Sequence, residues 1–265
     1  MKESKNIIKA LSEAIDSGRD AALVTVISVA GSTPRETAAK MIVYADASIE
    51  GTIGGGGFEA LAIKQAVECV KKRKGGKFSF ELTPKGIGAL CMGRMEIFID
   101  VYNNPLKVLI LGAGHVGQKI YEVCHAAGYP CAVADDRQEF ANIERFPHAS
   151  EILIERPDRA VKPVKPDKNT YIVIVTRGHA LDRECLRESM KTRAAYIGMI
   201  GSAEKVGETF RILGKKKIYP SKDSRVHSPI GLNIGGKTPG EIAISVLAEI
   251  IKLHYGRDGR HMKIV

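Results

Sequence analysis

The sequence predicts an α/β protein in two parts: a small N-terminal α+β domain (residues 1–104), then a C-terminal domain on a parallel sheet (residues 105–265). Three observations predict it. From Lys107 onward, apolar strand-like runs alternate with segments of helical spacing, which a parallel sheet with right-handed crossovers requires. Within that part, KVLILGAGHVG (107–117) joins a buried-strand run directly to a glycine-rich turn and a helix. The residues before it lack this alternation, and the turn-forming Asn103-Asn104-Pro105 marks the boundary.

In the N-terminal part, charge alternates with apolar residues at helical spacing, which predicts a helix over Ile7–Asp16. Strands are expected at Ala22–Val29, Lys40–Tyr44 and Ile49–Ile53. Four glycines, Gly54 to Gly57, precede a long helix Phe58–Lys72, whose Leu61, Ile63, Ala66, Val67 and Val70 keep helical spacing. Two further strand-like runs, Lys77–Leu82 and Met95–Val101, complete an α+β unit.

In the C-terminal part, the strand ending at Leu111 is followed by a helix over Gln118–Ala127 and a strand over Pro130–Ala134. A helix is expected at Gln138–Arg145 and a short strand at Glu151–Ile154. Arg156–Asn169, with three prolines, is expected to be a surface connection. Thr170–Thr176 is the clearest strand; a helix (Leu181–Lys191), a strand (Ala194–Ile200) and a helix (Ala203–Leu213) follow. Thr238-Pro239-Gly240-Glu241 combines a capping box with proline at the first helical position, opening a last helix.

Composition narrows the function classes. The 44% hydrophobic content is ample for a core, and no run approaches the ~18 apolar residues of a membrane span. The N-terminus has no apolar signal-peptide core. Five cysteines (69, 91, 124, 131, 185) are widely spaced without a CxxC, which argues against a disulfide framework or structural zinc and fits a reducing cytoplasm. The net charge of +10 lies in scattered positives and short tracts such as 71–74 and 215–217, without interleaved aromatics. That disfavours nucleic acid and suits a phosphorylated small molecule or an acidic partner.

The chemistry-bearing motifs fall in both parts. Gly112, Gly114 and Gly117 form a GxGxxG between strand and helix, with His115 inside it: one glycine for the tight turn, one for approach of a pyrophosphate, one for helix packing. Asp135 and Asp136, at the end of the next strand, stand where a Rossmann fold places the carboxylate that bonds an adenosine ribose, which would favour NAD over NADP. At the end of a later strand, Thr176-Arg177-Gly178-His179-Ala180-Leu181-Asp182 offers His179 as base, ligand-orienting group or helix cap, with Asp182 behind it. In the N-terminal part, Ser32 and Arg35 sit in a polar turn, and Gly54, Gly55, Gly56 and Gly57 expose amides before a helix start, an arrangement suited to an anion. Glu59 stabilises that helix N-terminus. Cys91 lies in a glycine-rich loop where a thiolate can reach a ligand; the default for Cys69, Cys124 and Cys131 is buried packing.

Together these segments resemble the XdhC/CoxI family, accessory proteins of xanthine dehydrogenase and related molybdenum hydroxylases. The resemblance rests on GSTPRETAAKMIV (31–43), GTIGGGGFE (51–59), the Cys91 loop, ILGAGHVG (110–117), ADDR (134–137), TRGHALD (176–182), YIGMIGS (196–202) and IGLNIGGKTPGEIAISVLAEI (230–250). Two departures stand out: Cys91 is followed by Met92-Gly93 where Gly-Gly is common, and Thr176-Arg177 replaces Thr-His. The resemblance implies a cytoplasmic chaperone that binds molybdenum cofactor (molybdopterin or its dinucleotide form), supports its sulfuration with a cysteine desulfurase or sulfurtransferase, and hands it to the apo-hydroxylase. Cys91 would then contact molybdenum or the transferred sulfur, and the Rossmann-like half would take NAD or another nucleotide. The alternatives are an NAD-dependent oxidoreductase and a nucleotide-sensing or protein-interaction module. A homodimer is expected from the prevalence of two-fold symmetry. A ligand used by both domains is expected between loops 31–36, 51–57 and 86–93 and sheet edge 112–117 and 176–182.

Overall fold

The computed structural model describes residues 2–31, 37–82 and 93–263, which form two compact units, Met1–Asn104 and Pro105–Val265. In the first, α1 (Lys2–Asp16) precedes β1 (Ala21–Gly31), β2 (Lys40–Tyr44), β3 (Ile49–Gly51), α2 (Gly56–Lys72), β4 (Gly76–Leu82) and β5 (Gly93–Tyr102). The strands pair antiparallel in the order β3-β2-β1-β5-β4. Period-two alternation decides which helix each strand residue meets. Ala22, Val24 and Val26 of β1 join Phe58, Ala62 and Ala66 of α2 in one core, while Ala21 packs with Ile7, Leu11 and Ala14 of α1 in another. The connector is tied back to its own unit. The buried Asp20 carboxylate accepts the Asn104 N–H at 2.8 Å, and Asn103 Nδ2 donates to the Val70 carbonyl at 3.2 Å.

The second unit is a parallel sheet in the order β11-β10-β9-β6-β7-β8. Its strands are β6 (Lys107–Leu111), β7 (Cys131–Asp135), β8 (Glu151–Ile154), β9 (Thr170–Ile174), β10 (Tyr196–Met199) and β11 (Val226–His227). Helices α3 (His115–Ala126) and α7 (Pro239–His254) cover one face; α4 (Pro157–Val164), α5 (His179–Met190) and α6 (Ala203–Lys215) cover the other. Coverage on both faces is why the strands read as unbroken apolar runs: Val108 and Ile110 enter one core, Leu109 and Leu111 the other. Numbered from β6, the order is that of the Rossmann dinucleotide fold, 3-2-1-4-5-6 reversed. Its direction switches between β6 and β9, so the loops after those two strands flank the crevice where such sheets bind ligands.

Two segments depart from expectation. Gln138–Arg145 forms successive turns instead of a helix. The Asn142 side-chain amide donates to the carbonyls of Gln138 and Glu139, an alternative partner for carbonyls that a helix would bond to its own amides. Arg156–Asn169 is not all irregular connection: Pro157 is the first residue of α4, where a missing N–H costs nothing, and Ala160 and Val161 bury against the sheet. Helices α3 and α5 also start earlier than their apolar spacing suggested, placing His115 and His179 in their first turns. The capping box of α7 forms as expected: Thr238 Oγ1 accepts the Glu241 N–H, and Glu241 accepts the Thr238 N–H at 2.9 Å.

Candidate functional site

At the end of β6 the three glycines have distinct surroundings. A side chain on Gly112 (φ 116°) would collide with the carbonyl of Val175 at the end of β9, and one on Gly117 with the carbonyl of Gly112. Gly114, N-cap of α3, faces open space with nothing within 4 Å of where a Cβ would lie. Two glycines therefore serve close packing, and the third leaves the backbone approachable by a phosphate at a helix N-terminus. His115 is exposed at the first position of α3.

The aspartate pair is divided in role. Asp135, 3% exposed, lies against the glycine loop: its Oδ2 accepts the Ala113 N–H at 2.9 Å and an Arg137 Nη2–H at 3.0 Å. Its Oδ1 accepts the Arg137 Nε–H at 2.9 Å and the Arg137 backbone N–H at 3.2 Å. Burial works against its ionisation, but the hydrogen bonds from Arg137 and Ala113 outweigh burial and hold the carboxyl below its ordinary range. Asp135 thus braces the loop, with both its oxygens engaged within its own chain. Arg137 also stacks on the Phe140 ring, 3.7 Å from its centroid. Asp136 is more exposed, and the guanidinium of Arg177 holds it at 2.9 Å.

Across the switch point, Asp182 is buried in the first turn of α5, where its Oδ1 accepts the Thr176 hydroxyl at 2.6 Å and the Thr176 N–H at 3.1 Å. Burial pushes this carboxyl up, only partly offset by Thr176, His179 and Lys205. His179 Nδ1 stands 4.0 Å from Asp182 Oδ2, with its side chain mostly exposed. The two groups stand at the edge of ion-pair range and beyond hydrogen-bond distance. A cavity of about 530 Å³ opens beside this loop, lined by Asp136, Arg156, Arg177 to Gly178, Ala180 to Leu181, and Arg183 to Glu184.

In the first unit, Gly54, Gly55 and Gly56 all have positive φ (132°, 74° and 66°), a run open to glycine alone. The loop already holds an internal anion: Glu59 Oε2 accepts the N–H groups of Ile53 (3.0 Å) and Gly55 (3.2 Å) and the Thr52 hydroxyl. The Gly54 N–H donates to Thr52 Oγ1 at 3.1 Å. Burial opposes ionisation of Glu59, yet these bonds keep its carboxyl below the usual value. The first amides of the run are therefore committed internally. Gly56 and Gly57 begin α2, are exposed, and have no side-chain cap from the N-cap Gly55.

Ser32, Arg35 and Cys91 lie outside the described residues. Cys69, Cys124, Cys131 and Cys185 are free and buried; burial raises the Cys185 thiol, and Cys124 is raised chiefly through its hydrogen bond with Cys131. Among the described residues, no group of three or more His, Cys, Asp or Glu could hold a metal, and no helix is long and apolar enough to cross a membrane. The roles of Arg137, Arg156 and Arg183 escaped sequence reasoning. Arg137 stands beside the aspartate pair and was within reach of a local reading; the other two enter the cavity from the N-cap of α4 and from α5 by folding alone.

Strand order, switch point and glycine loop define the second unit as a Rossmann-type domain, which follows a small antiparallel-sheet domain in the sequence. Residues 108–250 match the XdhC Rossmann domain and residues 14–81 the XdhC and CoxI family, and the chain belongs to that family. It is 36% identical over 242 residues to the uncharacterized protein YqeB of Escherichia coli (strain K12), covering 90% of this chain and 44% of YqeB. It is 28% identical over 157 residues to a probable xanthine dehydrogenase subunit from Bacillus subtilis (strain 168), covering 59% and 46% respectively. The chain thus spans less than half the length of these curated relatives. A crystal structure described as a xanthine dehydrogenase from Bacillus halodurans superposes with a TM-score of 0.53 at 20% identity, over 95% of this chain and 96% of that one, a likeness of fold.

Proposed function

We propose that this chain is an accessory protein of xanthine dehydrogenase or a related molybdenum hydroxylase, binding molybdenum cofactor and delivering it to the apo-enzyme. Family membership reaching into both units carries the reading, and the Bacillus subtilis relative, named for xanthine dehydrogenase, points the same way. Molybdopterin ends in a phosphate, and the start of α2 fits such a group: exposed Gly56 and Gly57 amides, no side-chain cap, and no atom within 4 Å of a Cβ at Gly55 or Gly56. Those amides would hold the phosphate, while Cys91 would contact molybdenum or the sulfur delivered by a cysteine desulfurase or sulfurtransferase. The cofactor, when bound, supplies a metal held by a dithiolene, for which a soft thiolate is a matched ligand.

Anaerobically prepared protein should take up molybdopterin in stoichiometric amount, seen by absorbance and metal analysis. Cys91→Ala should weaken uptake, and Gly56→Val should weaken it without touching the thiol. Absence of uptake by the unaltered chain would sink the carrier reading. We place the protein in the cytoplasm as a homodimer; sedimentation at micromolar concentration as a 28.7 kDa species would remove the dimer. The approach of His179 to Asp182 favours a second reading, a nucleotide-dependent oxidoreductase, which requires hydride transfer to a small carbonyl substrate.

A further inference from the structure

In a Rossmann domain, a free carboxylate at the end of the second strand selects NAD by bonding the ribose 2′-hydroxyl and repelling a 2′-phosphate; a nearby arginine reverses the choice. Here that carboxylate is Asp135, and both its oxygens are engaged by its own chain, through Ala113 and Arg137. Bonding a ribose diol would have to displace a buried, charge-assisted brace of the glycine loop. The next carboxylate, Asp136, is paired on the surface with Arg177 at 2.9 Å.

The cavity beside these residues is lined from the segments that follow β7 and β9, from the N-cap of α4 and from the first turns of α5. Ala180 and Leu181 supply apolar surface for a purine. Arg156, Arg177 and Arg183 give its wall three guanidinium groups against two carboxylates, Asp136 and Glu184, although Arg156 is itself bonded to Asp158 outside the wall at 2.7 Å. Glu184 is in turn bonded by Arg187, which does not line the cavity, at 2.7 Å. The Arg177 side chain is half-exposed and makes an ion pair on the surface, the kind of contact a phosphate displaces at little cost. Guanidinium forks match phosphate oxygens bidentately.

From these features we propose that the C-terminal domain binds a dinucleotide whose adenosine carries a 2′-phosphate, NADP or NADPH, in preference to NAD or NADH. The pyrophosphate lies over Gly114, and Arg177, with Arg156, takes the 2′-phosphate. The proposal stands apart from the cofactor-carrier reading and concerns binding alone.

The test is titration of the full chain with NADP, NADPH, NAD and NADH, by calorimetry and by nicotinamide fluorescence for the reduced forms. The 2′-phosphorylated pair should bind at least about tenfold tighter, with a preference that shrinks as salt rises. Arg177→Gln combined with Arg156→Gln should reduce the preference to within about threefold while leaving NAD affinity in place. Asp136→Asn, which removes the carboxylate that competes for Arg177, should widen the preference. Circular dichroism of each variant shows whether it has folded. Equal or tighter binding of NAD, no binding of either dinucleotide, or a preference that survives the double substitution would each overturn the proposal. So would equal competition by 3′,5′-ADP and 2′,5′-ADP, which would show that the position of the phosphate is not read. Molybdopterin uptake has no bearing on these outcomes.

Discussion

Replacing Asp135 by alanine tests the brace beneath the glycine loop most directly. The substitution removes every acceptor that Ala113 and Arg137 use there. Ala113 is fully buried, so its N–H loses its bond without access to water, at a cost of about 1–3 kcal/mol. Arg137 is a quarter exposed, so water replaces part of what it loses and adds only about 0.5–1 kcal/mol. The sum, about 1.5–4 kcal/mol, should lower the urea midpoint by about 0.75–2 M for a slope of about 2 kcal/mol/M. Unfolding is best followed by far-UV circular dichroism, because the chain has no tryptophan, together with hydrogen exchange at the Ala113 amide. Asp135→Asn keeps an acceptor for Ala113 and should lose about half as much. The sign with pH follows from the lowered carboxyl: its stabilisation is complete above the ordinary value of 3.8 and disappears as pH falls through the lower folded-state value. The gap between wild type and Asp135→Asn should therefore close in acid. A midpoint shift for Asp135→Ala below about 0.3 M, with unchanged exchange at Ala113, would falsify the brace.

Three further outcomes follow from local geometry. Gly117→Ala drives a methyl group into the Gly112 carbonyl and should cost about 2–3 kcal/mol, whereas Gly114→Ala, in open space at negative φ, should change the melting temperature little; equal effects would contradict the assigned roles. Gly55→Ala meets no atom but holds φ at 74° with an extended ψ of −175°, so it should cost about 1–3 kcal/mol through backbone strain alone, measured by chemical denaturation; a neutral result would refute the positive-φ conformation. Asp182, whose carboxyl is raised by burial, contributes stability that is present below 3.8 and lost as pH rises through its folded-state value. Asp182→Asn, which keeps an acceptor for Thr176, should flatten that limb of the stability profile, and an unchanged slope would rule the residue out as its source.

What the sequence determined by itself was whatever depends on backbone periodicity and nearby spacing. Val108 to Leu111 reads as a strand buried on both faces because two cores need apolar residues at both parities, and Thr238-Pro239-Gly240-Glu241 reads as a helix start because its partners lie three residues apart. The GxGxxG motif is legible for the same reason: two of its glycines, Gly112 and Gly117, are demanded by contacts within one strand–turn–helix unit and by the adjoining strand end. The turns at Gln138–Arg145 are not legible in the same way, because periodicity does not register an Asn142 side chain competing for backbone carbonyls. Tertiary structure alone decided what the functional groups do. Asp135 and Ala113 are 22 residues apart, Asp136 and Arg177 are 41 apart, and only strand order brings them together. A carboxylate available to ribose and one spent on bracing a loop are the same letter in a sequence. They differ in which donors folding places within about 3 Å, and that is set by the packing of the whole sheet.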